Sequence, residues 1–96
     1  MPRFTNRQVA DLFSEIADLS EIKGEVIYRV LAYRRAADSI ANLGRDINEV
    51  WQEGALREIQ GVGQAIAEKI DELLSGGRMS FYDRLTAEVP SSLVEV

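Results

Sequence analysis

The chain has 96 residues, 46% hydrophobic and 28% charged, which is the composition of one small globular domain with a marginal core. It contains no cysteine and no histidine, which excludes disulfides, thiol nucleophiles, histidine bases and zinc sites of the usual ligand types. The formal net charge of -5 argues against a nucleic-acid partner, but it is unevenly spread: residues 1–45 hold seven Lys/Arg and six Asp/Glu (+1), and residues 46–96 hold four and ten (-6).

In chain order, Thr5 followed by Gln8 is a capping-box pattern, and Val9, Leu12, Phe13, Ile16 and Leu19 recur at helical spacing up to Gly24. The stretch "EVIYRVLAYRRAADSIANLG" is a second helix, with an apolar stripe of Val26, Ile27, Val30, Leu31, Tyr33, Ala37 and Ile40 and a stop at Gly44. A shorter helix starts at Asp46, and "ALREI" is a further helical piece after Gly54. "GQAIAEKIDELLSGG" is a strong helix stopped by Gly76 and Gly77. Ser80 and Asp83 are candidate caps of the last one, "SFYDRLTAEV", which Pro90 ends. Period-two alternation and Asn-Gly or Asp-Gly turns are absent. The expected fold is all-α, a compact bundle of about four to six short helices. The apolar ending "SSLVEV" points to a chain cut from something longer. No stretch has the length or apolarity of a signal peptide or a membrane span, so a monomeric cytoplasmic protein without a membrane partner is the expectation.

Two features carry chemistry. Gly61 and Gly63 in "IQGVGQAIAEKI" make a tight turn directly before a helix. Such glycines allow positive φ and close backbone approach, and the N–H groups at the following helix start attract phosphate without side-chain charge. The plainer alternative is an interhelical turn with a glycine cap. The second feature is Lys69, on the flank of a face formed by Ile66, Ile70, Leu73 and Leu74. It is either a boundary lysine that snorkels to water or an amine held for reaction. Tyr28 and Tyr33 in "YRVLAYRRAA" are five apart and do not share one stripe, so one can be core and the other exposed.

"LREIQGVGQAIAEKIDELL" resembles the helix-hairpin-helix of the N-terminal domain of family X DNA polymerases, the DNA polymerase beta-like family. "AYRRAADSIANL" resembles the second helix of the same domain, and "FYDRLTAEVP" its exit segment. The resemblance runs from about Thr5 to Pro90 and is strongest to the bacterial and archaeal branch. It implies a domain over residues 1–90, with 91–96 opening a linker to polymerase domains that are not in this chain. Those domains, and not this one, would use Mg2+ and polymerise.

The resemblance further implies a DNA-repair module that grips gapped or single-stranded DNA and its 5′-phosphate. Lys69 matches the family's Schiff-base lysine, which gives some members a 5′-deoxyribose-phosphate lyase activity, and Tyr33 matches a tyrosine that positions the reacting group. Arg29 matches a phosphate-binding lysine and Tyr28 a base-stacking position; Arg34 and Arg35 add charge to the DNA face. Gly61, Val62, Gly63 and Gln64 are the hairpin's phosphate contacts. The carbonyls of Arg57, Ile59 and Val62 match a site for Na+ or K+, the one cofactor implied for this domain. The chain departs from the family at Gln60, usually proline, and at Ala65 and Phe81, where repair enzymes have lysines. Glu68 and Glu72 flank Lys69 and would raise its pKa. A DNA-end binder without catalysis and a helical protein-interaction module stay open as alternatives.

Overall fold

Thr5 opens the first helix as its spacing predicts: its side chain accepts the Gln8 N–H, and the Gln8 side chain accepts the Thr5 N–H. In the computed structural model, which describes residues 3–89, this helix is α1 (Asn6–Lys23), closed by Gly24 in the left-handed region. α2 (Ile27–Ala41) follows after a short link and packs back along α1 in the most extensive helix pair of the molecule. Then come α3 (Ile47–Gln52), a single 3-10 turn at Leu56–Glu58, α4 (Gln64–Gly76) and α5 (Ser80–Glu88). The architecture is all-helical, as expected.

The core is a single cluster. Val9, Phe13 and Ile16 of α1 meet Ile40 of α2, Ile47 of α3 and Ile70 of α4, all 0% exposed. Ile59, Val62 and Ile66 join it from the hairpin, so the apolar residues around the glycine turn anchor it to the core as read from the sequence.

Three local expectations change. The stripe drawn on the second helix is too wide. Val30, Ala37 and Ile40 are buried, but Val26, Ile27 and Leu31 lie exposed. Ile27 and Leu31, four apart, share a strip of the helix that stays exposed at the margin of the covered face holding Val30. The helix also ends at Ala41, three residues before Gly44, where the Asn42 side chain folds back to donate to the Asp38 carbonyl and the Leu43 N–H shortens to the Ile40 carbonyl. The capping of α5 differs as well. Buried Met79 is its N-cap; Ser80 instead donates its hydroxyl to Glu72, and Asp83 receives Arg78 at 2.8 Å. Pro90, the linker 91–96 and its apolar ending lie outside the described residues.

The segment before α3 is clamped to the N-terminus. Asn6 donates to the Arg45 carbonyl at 2.6 Å and accepts the Ile47 N–H at 2.8 Å. Buried Asn48 donates to the Phe4 carbonyl at 2.8 Å and to Asp46, whose side chain also caps α3. Trp51 Nε1 donates to Asp71 at 2.7 Å and ties α3 to α4. These links hold the hairpin from behind. Among the described residues no helix is long and apolar enough to cross a membrane.

Candidate functional site

The turn between the 3-10 segment and α4 is set by one hydrogen bond and one dihedral. The Ile59 carbonyl accepts the Val62 N–H at 3.0 Å, and Gly61 has φ +81, while among the described residues no non-glycine residue has positive φ. Positive φ at the third position alone is the signature of a type II turn, in which proline is common at the second position. Gln60 fills that second position here, so the turn keeps its shape without proline's pre-set φ. A Cβ on Gly61 would stand 2.9 Å from Arg35 Cγ, so this glycine is also where α2 comes closest to the hairpin.

Gly63 plays a different part. Its backbone is extended (φ -87, ψ -172), and a Cβ there would meet nothing within 4 Å. It is the N-cap of α4, with no side chain bonded to the helix end. The Ala67 N–H reaches the Gly63 carbonyl at 2.9 Å, so the N–H groups of Gln64, Ala65 and Ile66 have no intrahelical acceptor. They open, at the positive end of the helix dipole, onto unfilled space.

That space is a cavity of about 560 Å³. Arg29 and Tyr33 of α2, Gly61 and Gly63 of the turn, and Gln64 and Lys69 of α4 all line it. Ala65 and Phe81, the two neutral departures, line it as well. Tyr33 is held between Phe13, at a centroid distance of 6.4 Å, and Phe81, at 5.8 Å. Burial raises the pKa of its hydroxyl, helped by Glu25 and opposed by Arg29. Tyr33 therefore stays a hydrogen-bond donor throughout the neutral range.

Lys69 Nζ lies 4.6 Å over the Phe81 ring. Its pKa is lowered, first by desolvation and then by the positive charges of Arg84 and Arg29; Glu68 and Glu72 oppose this without reversing it. The two glutamates do raise it, as read from the sequence, but burial and the arginines outweigh them. Both carboxylates have other partners: Glu68 accepts from the Gln64 amide at 3.1 Å and Glu72 from the Ser80 hydroxyl. The amine is thus half-buried against an aromatic ring and easier to deprotonate than an ordinary lysine.

The remaining predicted residues lie elsewhere. Arg34 bridges to Asp18 at 3.0 Å and Glu21 at 2.7 Å, so its charge is spent joining α2 to α1. Arg35 lies along Gly61 and is not among the residues that line the Lys69 cavity. Tyr28 is 70% exposed beside Ile27 and Leu31, which settles the pair of tyrosines: Tyr33 is packed and Tyr28 is not. Val62 is core. Of the three carbonyls read as a cation site, that of Ile59 closes the turn and retains its second lone pair; those of Arg57 and Val62 belong to the same hairpin. A second large cavity, about 510 Å³, lies beside Arg3, Asn6, Arg45 and Asp46, whose polar groups are bonded to each other, and it contains none of the predicted residues. Sequence reasoning missed Phe81 as the ring under Lys69 and missed Arg84 altogether. Both sit on α5, and no periodicity within α4 could have paired them with Lys69.

Residues 4–79 match the helix-hairpin-helix domain family. The chain belongs to that family. It is also 28% identical over 88 residues to the DNA polymerase/3'-5' exonuclease PolX of Bacillus subtilis (strain 168), a match that covers 92% of this chain and 15% of that protein. The chain therefore spans a small part of the length of this curated relative. Both findings bear out the resemblance read from the sequence.

Proposed function

We propose that this chain is the DNA-binding domain of a family X DNA polymerase, that it holds the 5′-phosphate of gapped DNA at the α4 N-terminus, and that Lys69 gives it 5′-deoxyribose-phosphate lyase activity. The observation that carries this reading is the single cavity in which an uncapped helix N-terminus, Arg29, Tyr33 and a half-buried Lys69 converge. The similarity to a protein named as a DNA polymerase supports the choice of DNA as partner.

In this reading the N–H groups of Gln64, Ala65 and Ile66 bind phosphate oxygens, and Arg29 adds charge from α2. The domain's negative total does not forbid this, because the main binding groups are backbone dipoles. The carbonyls of Arg57, Ile59 and Val62 would hold a Na+ or K+ ion, which supplies positive charge for a second phosphate. The neutral Lys69 amine attacks the C1′ aldehyde of an opened abasic sugar. The carbinolamine loses water to leave an iminium ion. A proton then leaves C2′ to water, the C3′–O bond breaks, and the 5′-phosphate stays on the DNA strand. Water finally releases the sugar from Lys69. In this reading the Tyr33 hydroxyl donates to the sugar or its phosphate.

Borohydride reduces the iminium to a stable amine, so trapping on an incised abasic-site duplex tests the reading. A covalent adduct that Lys69→Ala abolishes is expected. Binding of the same duplex with no adduct would leave a DNA-end binder without catalysis, the alternative that neutral Ala65 and Phe81 favour.

A further inference from the structure

The positive charges of this acidic protein are mostly compensated. Arg3, Arg7, Lys23, Arg29, Arg34, Arg45 and Arg78 each lie within 4.0 Å of a carboxylate. Among the described residues Arg35, Arg57, Lys69 and Arg84 are in no such pair. Arg35 packs on the turn, and Arg57 lines a separate cavity of about 270 Å³ beside Trp51.

Lys69 and Arg84 are different, because Phe81 lines the cavities of both. Phe81 lines the Lys69 cavity and also a smaller one of about 130 Å³. Arg84, one turn further along α5, lines the smaller one. The carboxylates nearby are engaged: Glu88 with Lys23, and Glu25 with Arg29 at 3.9 Å and with the Val26 N–H. Two unpaired cations whose cavities share one side chain, in a protein with acid to spare, repel each other. Local conflicts of this kind concentrate at binding sites, where the missing counter-charge comes from the ligand.

We infer that Arg84 is a phosphate-binding residue of the Lys69 site, reaching past Phe81 to a terminal phosphomonoester and selecting that dianion over a diester. This rests on the function proposed above. The same placement makes Arg84 a positioning residue for Lys69. The charged and titratable groups facing that amine are Glu68 and Glu72 on α4, Arg29 and Tyr33 on α2, and Arg84 on α5. Arg84 outranks Arg29 among the charges that lower its pKa.

The test uses the 96-residue chain, with Arg84→Gln and Arg84→Lys. The Arg84 side chain is exposed, so both should keep the helical circular dichroism of the parent. Anisotropy with matched gapped duplexes gives the ratio of affinities for 5′-phosphate and 5′-hydroxyl ends. Arg84→Gln should reduce that ratio about tenfold, and Arg84→Lys should retain most of it. In the free protein, the titration midpoint of the Lys69 amine, followed by NMR of the labelled side chain, should rise in Arg84→Gln and return in Arg84→Lys. If either readout is unmoved by Arg84→Gln, the proposal fails. A parent chain that prefers phosphate but forms no borohydride adduct would sink the lyase reading alone. A parent chain indifferent to the 5′-phosphate would sink the phosphate site and Arg84 together.

Discussion

The two glycines of the hairpin look alike in sequence and should separate in experiment. At Gly61, alanine would have to adopt φ +81, a region that costs a non-glycine residue about 1–2 kcal/mol. Its methyl would also stand 2.9 Å from Arg35 Cγ and 3.2 Å from Cδ. Arg35 is flexible enough to give way, at about 0.5–1.5 kcal/mol for an off-rotamer side chain. Gly61→Ala should therefore destabilise the fold by roughly 1.5–3.5 kcal/mol. At Gly63 neither cost applies, since φ is -87 and the Cβ position is open. Gly63→Ala should change stability by less than about 1 kcal/mol, since the gain of about 0.4–1 kcal/mol through the unfolded chain is offset by alanine's poorer fit at an N-cap. Yet its methyl would project into the cavity at the mouth of α4, and each charge-assisted hydrogen bond lost there is worth about 1.5–3 kcal/mol. Thermal unfolding followed by circular dichroism reads the first effect, at about 4–8 °C per kcal/mol for a domain of this size. Anisotropy with 5′-phosphorylated gapped DNA, below the unfolding range, reads the second. A Gly61→Ala melting point equal to the parent's would refute the strain argument, and parental affinity in Gly63→Ala would reduce the helix mouth to a connector.

Arg29→Ala should weaken binding of phosphorylated gapped DNA by about 1–3 kcal/mol and narrow the gap between phosphorylated and unphosphorylated ends; equal losses for both ends would count against a phosphate contact. Lys69→Ala should abolish the borohydride adduct while binding is largely kept, which gel analysis and anisotropy measure on the same duplex. Because the Lys69 pKa is lowered in the fold, the neutral amine accumulates at a lower pH than for an ordinary lysine near 10.4. The trapping rate should accordingly rise with pH and level off below that value, and a profile still rising through it would remove desolvation as the activating device. Asn48→Ala should cost about 1–3 kcal/mol in chemical denaturation, since it removes buried Asn48's bonds to the half-buried Phe4 carbonyl and to Asp46 and loosens the clamp behind the hairpin.

The helices were legible because each carries local signals: the Thr5–Gln8 box, Gly24 and Gly77 as left-handed caps, and the 3.6-residue spacing of Val9, Phe13 and Ile16. The hairpin was legible for the same reason, since its turn, its glycines and its helix start are contiguous. What periodicity could not supply is which face of α2 is covered. Ile27 and Leu31 are as apolar as Val30, and only the placement of α1 decides between them. The state of Lys69 was illegible for a related reason. Its sequence neighbours are two glutamates, so a local reading predicts a firmly charged ammonium. Its spatial neighbours are a phenylalanine and an arginine from α5 and an arginine from α2. Coulombic influence follows distance through the fold and not separation along the chain, and desolvation exists only once the fold has formed. Phe81 shows the consequence. Read as a lost cation, it counts against chemistry at Lys69. Placed against Nζ, it excludes water from the amine, which is one of two ways to activate a lysine nucleophile, and the neighbouring arginines supply the other.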